Sequence, residues 1–114
     1  IGIPVDILID SSISLEGFRV IKKELLICLK IYVFNIRSRT SKGEKDFLDI
    51  LSLFKTGELD INKIINIKKD FGLEIQFTYF LKSLNERIEA IEIGLNKHQY
   101  KKLKTEINNK LGYN

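Results

Sequence analysis

At 114 residues the chain has room for one hydrophobic core and not for two, and its 44% hydrophobic and 30% charged residues group it with globular proteins. The longest nearly unbroken apolar run, residues 25–36, contains Lys30 and falls well short of the roughly 20 residues that a membrane span requires. The formal charge of +4 is mildly basic, which suits a partner that carries phosphates without requiring one.

The single cysteine, Cys28, has no partner for an internal disulfide, so a reducing, cytoplasmic setting is expected, with the thiol packed as a small apolar side chain. The chain begins at Ile1 without a methionine, which reads as a fragment, a processed product or an incomplete start. Its first ten residues hold two aspartates and no cation, which is not the pattern of a secretory or transit signal.

Those ten residues, IGIPVDILID, alternate as a strand does: Ile1, Ile3, Val5, Ile7 and Ile9 line one face. Pro4 cannot donate a ladder hydrogen bond and belongs at a strand start or a sheet edge. Asp6 lies on the opposite face, where it looks either into solvent or into a cleft. Residues 18–21 read as a short second strand.

From Lys22 onward the pattern is helical. Ser41 and Glu44 have the spacing of a capping box, so a helix is expected from near Lys42 to about Lys55. Asp60 is a good N-cap for a third helix that closes at Phe71–Gly72. Phe77, Phe80, Leu81, Leu84, Ile88, Ile91 and Leu95 form one apolar stripe of a fourth. Residues 97–111 form a lysine-rich last helix with a thin apolar line of Tyr100, Leu103, Ile107 and Leu111. The expected architecture is α+β: one or two N-terminal strands over residues 1–21, then a bundle of about five helices over 22–114, all within a single domain. One or two strands do not make a self-sufficient sheet, so either a homodimer or a missing N-terminal half is expected to complete it.

Within residues 25–54 the charges stand out against an apolar background. Lys30 interrupts the first helix, and Asp46 and Asp49 project from one face of the second, because residues three apart are helical neighbours. Such a group is either an ion network between packed helices or part of a phosphate and metal site.

The order Val5-Asp6-Ile7-Leu8, then Lys30, then a turn with Arg37 and Arg39, then Lys45-Asp46-Phe47-Leu48-Asp49, resembles the C-terminal half of the AbiEii-type nucleotidyltransferases, relatives of the minimal nucleotidyltransferases and type IV toxins. The resemblance covers about residues 5–54 and implies metal-dependent transfer of a nucleotide from a nucleoside triphosphate to RNA or protein. It implies that Asp6, Lys30, Asp46 and Asp49 serve catalysis, with Asp6 at Mg²⁺. It further implies that Lys30, Arg37, Arg39 and Lys45 approach the nucleotide. The family's Gly-Ser and Asp-x-Asp motifs, which hold phosphates and metal, do not occur in the chain. The expectation is therefore a partial or degenerate nucleotidyltransferase-like protein, inactive as this chain alone, with Mg²⁺ and nucleoside triphosphate as cofactors only where an active site is complete.

The alternative is a non-enzymatic helical module that binds a partner protein or nucleic acid through its lysine-rich last helix. Other chemistries lack their residues. His98 is the sole histidine and has no zinc-ligand spacing to Cys28, and the seven glycines form no phosphate loop.

Overall fold

The computed structural model describes residues 23–56 and 58–112. Among these, five α-helices follow one another: α1 Lys23–Arg37, α2 Ser41–Lys55, α3 Ile61–Asp70, α4 Glu74–Glu86 and α5 Lys97–Leu111, with a single 3₁₀ turn at Ile91–Ile93. The described architecture is thus all-helical, which corrects the α+β expectation. The physical reason is that, among the described residues, the apolar faces of the helices close a core on each other without a sheet. Among the described residues the β pairing is one isolated antiparallel bridge, Ala90 with Leu95. The strands expected over residues 1–10 and 18–21 lie outside the described residues.

Helix α1 is the centre. It is apolar around most of its circumference, and it packs against α2, α3 and α4. Its buried residues, Ile27, Cys28, Ile31 and Phe34, recur at helical spacing, and α2 answers with Phe47, Ile50, Leu51 and Phe54. Burial pushes the Cys28 thiol up to about 12, with the Glu24 carboxylate adding to the shift, so the sulfur is an inert packing atom at neutral pH. Aromatic rings join the helices: Phe80 of α4 lies 5.7 Å from Phe47, 6.3 Å from Phe54 and 6.5 Å from Phe34, centroid to centroid.

The α1–α2 connection is tight. Thr40, and not Ser41, caps α2: its hydroxyl donates to Arg37 O at 2.8 Å and accepts from Gly43 N at 3.1 Å. The cap is therefore one residue earlier than expected and the Ser41–Glu44 box does not form, which leaves the Glu44 carboxylate to a distant partner. Gly43 is required here, because a Cβ at that position would stand 1.9 Å from Arg37 O.

Further along, Asp60 caps α3 through a bond from Lys63 N at 3.2 Å, and Gly72 turns the chain at φ 63°. Helix α4 ends at Glu86, shorter than its apolar stripe predicts. The buried Tyr100 hydroxyl donates to Leu84 O at 2.7 Å, satisfying a carbonyl in the last turn of α4. Beyond Glu86 the chain makes a turn closed by the Ala90–Leu95 pair, so Ile88 and Ile91 are exposed while Leu95 is buried. Helix α5 begins with a reciprocal capping box, Asn96 with Gln99, and ends at Gly112 with φ 70°. Its line of Tyr100, Leu103, Ile107 and Leu111 is buried.

Candidate functional site

Lys30 and Arg37 lie seven residues apart on α1 and so share a face, as do Asp46 and Asp49 on α2. The Thr40–Gly43 turn folds these faces together. Arg37 Nη2 and Nε donate to one oxygen of Asp46, Oδ2, at 2.7 and 3.1 Å. Lys30 Nζ donates to Asp49 Oδ2 at 3.1 Å and stands 4.0 Å from the other Asp46 oxygen, Oδ1. Each Asp46 oxygen therefore faces a cation, and the four side chains sum to zero formal charge.

Asp46 is 5% exposed and is the one buried charged residue among the described residues. Its partners reach water: the Lys30, Arg37 and Asp49 side chains are 28, 39 and 38% exposed. The cluster thus has a buried anchor and an open rim. An ionic group held this way costs desolvation that a pair of apolar side chains would avoid, so its presence is a register device or a functional one.

Of the residues singled out in the sequence, Lys30, Arg37, Asp46 and Asp49 come together. Arg39 and Lys45 are exposed and make no ion pair among the described residues. Asp6 lies outside the described residues. Among the described residues no three His, Cys, Asp or Glu side chains gather to hold a metal, and Asp46 and Asp49 are spent on cations, so this donor set does not fit Mg²⁺.

A second feature, an open cleft of about 270 Å³, adjoins the α1–α2 turn. Phe34, Phe47 and Tyr79 form its apolar wall, and Ser38, Glu44 and Arg87 contribute polar groups. Arg87 Nη1 donates to Glu44 Oε2 at 2.6 Å and Nη2 to Glu92 Oε1 at 3.5 Å, with the guanidinium 5.2 Å from the Phe47 ring centroid. Burial pushes the Arg87 pKa down, but the hydrogen bond and charge of Glu44, with Glu92 behind it, outweigh that and hold it above the ordinary arginine value.

Sequence reasoning missed this pair. Glu44 had a local role in the supposed capping box, and nothing in the chain marks a contact across 43 residues. Compared with protein-family models, with curated proteins and with solved structures, the chain matches none.

Proposed function

We propose that the α1–α2 cluster is the nucleotide-facing part of a nucleotidyltransferase-like protein, inactive as this chain alone because the Gly-Ser and Asp-x-Asp motifs are absent from the 114 residues. The observation that carries the reading is the position of Lys30, 3.1 Å from Asp49 and 4.0 Å from Asp46. The resemblance assigns those two carboxylates the task of orienting that lysine or a substrate group.

The division of labour follows from exposure. Arg37 holds Asp46 with two hydrogen bonds, and Asp46 in turn fixes the ammonium of Lys30 from below. Asp49, more exposed, is the partner that a triphosphate displaces when it takes Lys30 as its counter-charge. Phosphoryl transfer depends mainly on positioning and charge neutralisation, and a lysine held in this way supplies one fixed charge of that kind. No step through Mg²⁺ is assigned, because the carboxylates described here do not form a cage for it.

The test is a titration of the full chain with ATP and Mg²⁺, followed by NMR at Lys30, Asp46 and Asp49. Shifts at Lys30, Asp46 and Asp49 at millimolar nucleotide are expected, with those at Asp46 and Asp49 lost in Lys30→Gln. Absence of movement at all three residues overturns the reading.

A further inference from the structure

Helix α5 carries five lysines and one glutamate, so its formal charge equals the +4 of the whole chain. The lysines are not spread evenly. Lys97, Lys101 and Lys104 follow at spacings of four and three and line one flank, where a groove of about 400 Å³ runs between α5 and the end of α4. The single carboxylate of α5, Glu106, lies in a different groove with Lys55 and His98.

This flank opposes the electrostatics of its own helix. Cations at the start of a helix face the positive end of its macrodipole, and no acidic residue stands in the first turn of α5 to offset them. Like charges three and four residues apart also repel one another. Among the described residues none of the three lysines is within ion-pair distance of a carboxylate. Lys104 is held in place by a bond to Arg87 O at 3.4 Å and by the Tyr100 ring. A polyanion in the groove relieves all of this at once.

The chemistry of the groove selects among polyanions. Asn85 and Asn108 exchange amide hydrogen bonds at 3.0 and 2.9 Å. Asn85 spends its second amide proton on Leu81 O at 2.7 Å, so it offers a ligand a carbonyl lone pair, while Asn108 offers a carbonyl lone pair and one amide proton. Thr105 stands beside them. Amides and a hydroxyl next to a row of cations match a backbone that presents a phosphate and a ribose 2′-hydroxyl in each unit, and DNA lacks that hydroxyl. No aromatic ring lines the groove, since Tyr100 is buried, so bases are not stacked there.

We infer that the groove between α5 and the end of α4 binds the sugar–phosphate backbone of an RNA strand, with Lys97, Lys101 and Lys104 on phosphates and Asn85, Thr105 and Asn108 at the ribose. The inference rests on α5 and the end of α4 and stands apart from the nucleotide reading of the α1–α2 cluster.

The test is fluorescence anisotropy of a labelled 12-nucleotide RNA with the full chain, across a salt series, beside the DNA of the same sequence and a poly-glutamate chain of matched charge. Three phosphate contacts on a single strand give a log–log salt slope of about −2. Lys97→Gln with Lys101→Gln is expected to weaken RNA binding at least tenfold and to flatten the slope by about 1.4. The charge-matched control Lys23→Gln with Lys69→Gln, both exposed and on other helices, is expected to leave binding within twofold. RNA binding unchanged by the α5 pair, equal loss in the control pair, equal affinity for DNA or poly-glutamate, or no RNA binding at low salt overturns the proposal.

Discussion

Two cation-bearing surfaces of this chain are built on opposite terms. At the α1–α2 interface Lys30 and Arg37 meet Asp46 and Asp49, and the group is neutral, partly buried and geometrically fixed. On α5, Lys97, Lys101 and Lys104 share a flank with no carboxylate of the described residues within ion-pair reach. The first arrangement stabilises the fold and leaves little charge for a ligand unless the ligand competes with Asp49. The second costs stability and leaves its charge available. Neutralising a lysine or its partner therefore has opposite consequences in the two regions, and mutation separates them by sign.

The largest effect is expected where the first region is assembled. Gly43→Ala puts a methyl group against Arg37 O at a separation that real atoms do not adopt, and both partners are backbone-bound. The α1–α2 turn must open, at a cost of about 3 kcal/mol or more. Thermal unfolding followed by circular dichroism measures it, and a loss under 1 kcal/mol shows that the turn does not fix the cluster.

Asp46→Asn comes next. It keeps the size of the side chain and leaves Lys30 and Arg37 facing a neutral group, a loss of about 2 kcal/mol once the exposure of the two cations is discounted against a fully buried pair. A double-mutant cycle with Arg37→Gln isolates the pair, with a coupling energy of about 1 to 2 kcal/mol expected. Coupling near zero would make the α1–α2 charges equivalent to those of α5 and erase the contrast.

Much of this frame is legible in the residues, for reasons that differ by region. The ends of α3 and α5 follow from local chemistry: Asp60 and Gly72 in one case, and the apolar line from Tyr100 to Leu111 in the other. The capping box that exists, Asn96 with Gln99, was open to the same reasoning that assigned one to Ser41 and Glu44. There the N-cap is Thr40, because Gly43 must approach Arg37 O, a constraint set by the packing of two helices. The stripe through Ile88 and Ile91 promised a longer α4, but the segment turns away after Glu86, its last-turn carbonyl at Leu84 is satisfied by Tyr100 of another helix, and the Ala90–Leu95 pair closes the turn. In the cluster, spacing places Asp46 and Asp49 on one face and sequence order places Lys30 opposite. The choice between Arg37 and Arg39 turns on the last residue of α1, since Arg37 is still helical and faces Asp46 while Arg39 lies in the turn. Arg87 with Glu44 is purely tertiary and left no local mark.

The smallest expected effect is also the one of unusual sign. Removing an exposed lysine from a helix is ordinarily neutral or slightly harmful, through lost packing of its aliphatic stem. In Lys97→Gln with Lys101→Gln, however, one cation leaves the positive end of α5 and the repulsion between neighbours one turn apart disappears. Stability is expected to rise by about 0.4 kcal/mol, or about 2 °C in Tm for a chain of this size. Salt supplies a check that does not depend on the stem. The screening length falls from about 30 Å at 0.01 M to about 8 Å at 0.15 M, so salt weakens the α5 repulsion in the wild type, while its effect on the ion pairs is common to both proteins. The variant has less repulsion to screen and should show a flatter dependence of Tm on salt. If the two slopes are parallel, α5 carries no stored repulsion, and its lysines are an ordinary solvated face.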